Sequence, residues 1–247
     1  MPIGYLRRLA GSQRTQSTNR QLGLTLAFVA GAVNAGGFMV VGSYTSHMTG
    51  IVSTMADAVV LQQTALVLVS LGAILFFLAG AASSAVLINW ARRQRLQSIY
   101  ALPLMLEAGL LLVFGLLGAW IEGWRWFAAP ATVLLLCYVM GLQNAMITKV
   151  SNSEIRTTHV TGIVTDLGIE LGKWMYWNQA SGDHRVVADR PKMRLLASML
   201  IMFFVGGVVG ALSFGHLGFI STVPLAFVLV LLAGVPVWDD IVSYWQS

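Results

Sequence analysis

Six windows of this chain are almost without polar side chains: 22–41, 64–91, 100–121, 127–148, 195–214 and 219–238. Each is close to or above the ~20 residues that carry an α-helix across ~30 Å of hydrocarbon. The pattern therefore predicts an all-α polytopic membrane protein with six transmembrane helices. Two shorter segments, 49–62 and 161–177, also have helical spacing. The first puts Ile51, Val52, Met55 and Val59 on one side. The second puts Ile163, Val164, Leu167, Leu171, Trp174 and Met175 on one face and Asp166, Glu170 and Lys173 on the other, a polar face expected to be solvated at the interface.

The windows follow one order twice. "GAVNA" at 31–35 returns as "GLQNA" at 141–145, an offset of 110, and "SYTSHMTGIV" at 43–52 returns as "IRTTHVTGIV" at 155–164, an offset of 112. Further on, "FFLAG" at 76–80 matches "FFVGG" at 203–207 at 127, and Pro103-Leu104 matches Pro224-Leu225. The jump in offset marks a hydrophilic insertion at 178–192, expected to be a cytoplasmic loop. One unit then covers 21–122 and its copy 127–240. Three spans per unit is an odd number, so the two three-helix repeats are expected to be inverted, an arrangement recurrent in secondary transporters. Backbone that is not helical survives at membrane depth only where protein or a wet cavity satisfies it. The two short segments are thus expected to be re-entrant half-helices, one from each side, with their amino ends inward. Such ends attract anions through free N–H groups and the helix dipole. The hydroxyls of Thr49 and Thr161 are expected to cap them.

Composition sharpens the class. Of 247 residues 57% are hydrophobic and 10% charged, against about 25% charged in an ordinary soluble domain. The net charge of +5 could point to nucleic acid, but its placement points elsewhere. All Lys and Arg except Arg125 fall in the tail 1–20, in "RRQR" at 92–95, or between Lys149 and Arg194. Six crossings put all three clusters on one side, as the positive-inside bias requires, with both termini cytoplasmic. No nucleic-acid partner is expected. Cys137 is the single cysteine, so no intramolecular disulfide can form.

The residues that carry chemistry sit in the repeated motifs. Asn34, Thr45, His47 and Thr49, with Asn144, Thr157, His159 and Thr161, form two matching sets of polar groups inside apolar sequence, expected to contact a small polar or anionic solute. Buried asparagines must find hydrogen-bond partners, so Asn34 and Asn144 could equally brace the neighbouring loops. Glu107 is the one acid well inside a full span, and intramembrane carboxylates mark ion or substrate pathways by default. Glu107, His47 and His159 are the candidates for proton coupling. No ligand spacing around the histidines suits a metal, no cofactor is implied, and the absence of a nucleotide loop, metalloprotease helix or nucleophile elbow speaks against an enzyme. Small-residue clusters at 79–85 and 206–211 allow close helix approach, either between the halves or between copies in a homo-oligomer.

With "GxxNA", "SYTSHMTGI" and "IRTTHVTGIVTDLG" in view, the chain resembles the YoaK family of bacterial inner-membrane proteins, a domain-of-unknown-function family, over about residues 20–240. The resemblance implies a bacterial plasma-membrane protein of about six helices and leaves the activity open. The expectation from the repeats is a small secondary transporter or channel with alternating access between the halves. The alternative is a non-transporting membrane scaffold or sensor that binds a partner through its cytoplasmic loop.

Overall fold

The structure is a computed structural model that describes residues 4, 7, 9–11, 14–121, 125–151, 157–177 and 186–245, with side chains left out at 40–41, 117–121 and 125–130. Most of the expected insertion, 178–185, lies outside the described residues, as do Ile155 and Arg156 of the second motif.

Eight α-helices follow in order among the described elements: α1 (Gln16–Val41), α2 (Met48–Val60), α3 (Thr64–Arg93), α4 (Ala101–Ile121), α5 (Arg125–Val150), α6 (Val160–Met175), α7 (Arg190–Leu217) and α8 (Thr222–Trp245). A single 3-10 turn, Gly218–Ser221, joins the last two. Their limits follow local chemistry. Thr15 caps α1 in a reciprocal capping box with Thr18, and Gly42 ends it at φ 67° with its N–H on the Phe38 carbonyl, a left-handed geometry that favours glycine. Asp189 caps α7 through the Lys192 N–H at 2.9 Å, ahead of Pro191 in the first turn.

Four stretches are long and apolar enough to cross a membrane: Gln16–Met39, Thr64–Arg93, Ala131–Val150 and Arg190–Trp245. The last is folded back at the 3-10 turn into α7 and α8. Ala101–Leu116 and Met48–Val60 are shorter apolar helices. The outer faces of α3 and α7 are apolar and exposed, with Leu68, Leu75, Leu78 and Val86 on one and Ile201, Phe204, Val208 and Leu212 on the other. Faces of that kind suit a hydrocarbon solvent rather than water, and the chain has the build of a helical membrane protein.

Hydrocarbon gives no hydrophobic drive for one helix to meet another, so close packing at small residues does that work. α1 runs parallel to α7. A Cβ on Gly31 would strike the Phe203 carbonyl, one on Gly206 the Phe28 carbonyl, and one on Gly210 the backbone of Ala32. α3 runs parallel to α5 in the same way, Gly80 lying against the Tyr138 carbonyl and Gly141 against the Phe77 carbonyl. α4 and α8 are antiparallel: the Asp240 carboxylate accepts from the N–H groups of Gln97 and Ser98, both at 2.8 Å, while Thr222 Oγ1 donates to the Leu111 carbonyl at 2.8 Å. α1 and α5 are antiparallel too, joined by Gln143 Nε2 to Leu26 O at 3.3 Å and Asn19 Nδ2 to Val150 O at 3.2 Å.

These contacts come in matched pairs. Gly31 on Phe203 and Gly206 on Phe28 repeat as Gly141 on Phe77 and Gly80 on Tyr138. The match corrects the alignment of the third block. Phe77 and Gly80 stand where Phe203 and Gly206 stand, an offset of 126 rather than 127. Each block opens with two adjacent phenylalanines, so letters alone cannot say which one faces the neighbouring helix.

Candidate functional site

Both repeated motifs cross the gap from a long helix into a short one, and they do so with the same pattern of exposure. Thr45 and Thr157 are fully buried, Ser46 and Thr158 half-buried, and His47, Thr49, His159 and Thr161 exposed. Asn34 on α1 accepts from both the Ser46 N–H at 3.1 Å and the Ser46 hydroxyl at 2.9 Å. Asn144 on α5 accepts from the Thr158 hydroxyl at 2.7 Å, while its amide donates to the Met140 carbonyl at 2.9 Å. Each asparagine therefore clasps the loop that follows its own helix. Among the described residues no hydrogen bond joins one motif to the other.

The clasp partners Ser46 and Thr158 were not among the residues singled out by the repeat. The available signal was a hydroxyl at the same place in both motifs, between the threonine and the histidine, hidden because the two residue types differ.

The short helices begin at the histidines. His47 and His159 are the N-cap residues of α2 and α6, neither with a side-chain cap, and their carbonyls accept from Ile51 N–H at 3.1 Å and Ile163 N–H at 3.0 Å. The expected capping by Thr49 and Thr161 is thus not what forms: both lie in the first helical turn, past the residue whose side chain could reach the free N–H groups. Instead each imidazole lies over the glycine three residues on. A Cβ on Gly50 would meet the His47 ring, and one on Gly162 would lie 3.4 Å from His159 Nδ1. With no side-chain hydrogen bond at the caps, the amino ends of α2 and α6 keep donors available for another group.

α2 starts deep along its neighbour. Met48 and Ile51, like Phe77, pack on Ala73, Val133 and Cys137, and Phe77 is the residue whose carbonyl meets Gly141 where α3 and α5 pack together. Phe77 lies roughly 20 Å along α3 from its first residue. Ile163 and Met199, which hold the places of Ile51 and Ala73 in the second copy, are both in the main core. The far end of α6 is pinned to the start of α7, with Lys192 Nζ 3.4 Å from Asp166 and the Glu170 carboxylate accepting from Asp189 N–H at 2.9 Å and from Lys173 at 2.8 Å.

Glu170 departs from the expected solvated face: it is buried. The Lys173 hydrogen bond first, and the Asp189 N–H second, hold its carboxyl below the usual carboxylate range.

Several buried polar atoms have no partner among the described residues. They include Oγ1 of Thr45 and of Thr157, Oγ of Ser84, Oε1 of Gln143 and both carboxyl oxygens of Glu107. Glu107 is fully buried on α4. Most buried polar groups in proteins are paired, so a matched pair of lone hydroxyls at one motif position is a feature of the fold. Groups of three or more His, Cys, Asp or Glu able to hold a metal are absent among the described residues.

A family model described as Protein of unknown function (DUF1275) matches residues 22–235, and the chain belongs to that family. The resemblance carried by the paired motifs holds at this level. No curated protein and no solved structure matches the chain.

Proposed function

We propose that this member of the DUF1275 family is a small secondary transporter or channel for a small polar or anionic solute, built of two inverted three-helix repeats in the bacterial inner membrane. Three relations among the helices support six crossings. α1 is parallel to α7, α3 is parallel to α5, and α4 is antiparallel to α8. If α2 and α6 turned back on the side they entered, α1, α4 and α7 would run one way and α3, α5 and α8 the other, in accord with all three. If α2 and α6 also crossed, α4 and α8 would run the same way, against their observed packing. With six crossings the halves are inverted and both termini share one side, the cytoplasmic one by the distribution of arginine and lysine.

The observation that carries the functional proposal is the pair of buried, partnerless hydroxyls on Thr45 and Thr157, each beside an uncapped helix amino end. A lone buried hydroxyl costs ~1–3 kcal/mol, and a fold that holds two in equivalent places has set donors where a solute can take them up. Asn34 and Asn144 position these loops; Thr49, Thr161, His47 and His159 line their exposed rims. Alternating access would come from rocking one half against the other around a site between them, as inverted repeats allow.

The test is thermal stability of the purified protein against a panel of small anions, nucleobases, amino acids and sugars, run beside Thr45→Val, Thr157→Val, His47→Ala and His159→Ala. A solute at 100 times its dissociation constant stabilises the native state by about 2.7 kcal/mol. The valine variants should be as stable as the wild type or more so, since they delete only an unpaired group, and should lose the solute response. Valine variants that are destabilised, with no solute acting on the wild type, would mark the threonines as structural.

A further inference from the structure

The matched halves differ at one place that bears on energy coupling. Residues 97 and 98, just ahead of α4, face Asp240 of α8, and 111–115 face 219–223. Glu107 therefore lies opposite the stretch 226–231 of α8, where Ala226 and Leu229 are fully buried and apolar. In the second copy its place is held by Val228. The carboxyl therefore answers no need that the two copies share, and it brings the cost of two buried oxygens without partners among the described residues.

Among the described side chains no neighbouring charge offsets that cost. The titratable or charged side chains described on elements packed against α4 are Arg92 and Arg93 on α3, Cys137, Tyr138 and Lys149 on α5, and Asp239, Asp240 and Tyr244 on α8; Arg125, the first residue of α5, has its side chain outside the described set. None hydrogen-bonds to Glu107. Asp239 and Asp240 are engaged by Arg7 and by the 97–98 backbone, roughly 15 Å along the helix from Glu107. A carboxylate in such surroundings must receive one positive charge when the site closes over it. Hard metal cations need several oxygen ligands, and among the described residues no group of three or more His, Cys, Asp or Glu gathers to hold one. A proton needs none.

We propose that Glu107 is a proton carrier: it takes up a proton from water on the side to which the site is open, crosses the closed state as the neutral acid, and releases the same proton to water on the other side. The coupling rests on the transport reading above, although the proton binding does not. Nothing is oxidised or reduced, and the carboxylate is regenerated each cycle.

Infrared difference spectra of the reconstituted protein between about pH 5 and pH 9, a range that brackets neutral-pH coupling, test this directly. The expected result is a protonated-carboxyl carbonyl band that fades as pH rises, is missing in Glu107→Gln, and is indifferent to replacing sodium with choline. A band that persists across the whole range would make Glu107 a permanently neutral structural acid, and no Glu107-dependent band at any pH would make it an anion throughout. Either overturns the proposal. Loss of the band on adding sodium at fixed pH would reassign the site to a metal cation. Thr45→Val should leave the titration intact, so a titrating band with no solute found sinks the solute site alone, whereas a bound solute without a titrating band sinks the proton carrier alone.

Discussion

Gly31→Ala tests the helix packing most sharply. Its new Cβ would drive into the carbonyl oxygen of Phe203, with the carbonyl carbon at 2.9 Å and the Gly207 nitrogen at 3.0 Å. All three are backbone atoms, so no rotamer change relieves the contact and α1 and α7 must separate. Overpacking of this kind costs ~1–3 kcal/mol, because a radial gap of about 0.5–1 Å forfeits a quarter to a half of each dispersion contact along the seam. Gly206→Ala, Gly80→Ala and Gly141→Ala meet backbone in the same way and should cost the same. Gly109 has nothing within 4 Å of its would-be Cβ, so Gly109→Ala should instead gain roughly 0.5–1 kcal/mol from helix propensity. Couplings extend the test. Gly31→Ala with Gly206→Ala shares one seam, and once the helices have parted the second methyl should cost much less than it does alone. Gly31→Ala with Gly141→Ala lies on two seams and should add to within ~0.3–0.5 kcal/mol. Reversible unfolding in mixed detergent measures all of these. Equal effects for Gly31→Ala and Gly109→Ala, or additivity on the shared seam, would refute the packing argument.

Asn34→Ala removes two hydrogen bonds to Ser46 and Asn144→Ala one to Thr158; the first should cost ~1–3 kcal/mol and the second about half as much by the same unfolding assay. Asp240→Ala strips the acceptor from the Gln97 and Ser98 N–H groups and should cost ~1–3 kcal/mol and raise amide exchange at those two residues. Glu170 has its folded-state carboxyl held low, chiefly by Lys173, so the stability it contributes is present above the unfolded-state value, about 4.3, and is lost as pH falls through the folded one. Wild type and Glu170→Gln should accordingly differ at neutral pH and converge in acid when melting is followed against pH.

The short helices and the polar motifs ahead of them were legible because a duplicated sequence shows its own registration: Thr45, His47 and Thr49 pick out Thr157, His159 and Thr161. Burial and partnership were not. Glu170 reads as part of a solvated face because Asp166 and Lys173 share it, yet its partner is the backbone N–H of Asp189, 19 residues away across a loop, where no side-chain spacing can announce it. The helix starts were misplaced onto the threonines for a related reason. A hydroxyl next to a glycine resembles a cap, but the imidazoles of His47 and His159 fill the space over Gly50 and Gly162 and set the first helical residues at Met48 and Val160. The last two apolar windows merge into one candidate stretch, 190–245, because the tight 3-10 turn at Gly218–Ser221 bends the chain back without an intervening loop.

Equivalence and difference between the halves divide the labour of the proposed transporter. The groups that are alike, Asn34 with Asn144, Thr45 with Thr157 and His47 with His159, sit in and around the loops that open the short helices; in the proposed inverted arrangement they would be presented once to each side, and a solute arriving from either side would meet the same donors. The polar groups that differ lie elsewhere. Glu107 faces Val228 under the repeat, Gln143 faces Val33, and buried Glu170 faces buried Ala58. A machine whose halves were equal throughout would have no energetic preference between its two facing states, so any bias must come from such positions. The Glu170 contact with Asp189 ties α6 to the start of α7 in its own half, whereas α2 is followed by the tight turn at 61–63 before α3. Breaking the Glu170 tie should therefore shift the equilibrium between the two facing states as well as stability. Cysteine accessibility at position 161, compared with position 49 in the same protein with Cys137→Ser, reads that shift. Equal labelling changes at both positions on Glu170→Gln would show that the tie holds α6 without setting the direction.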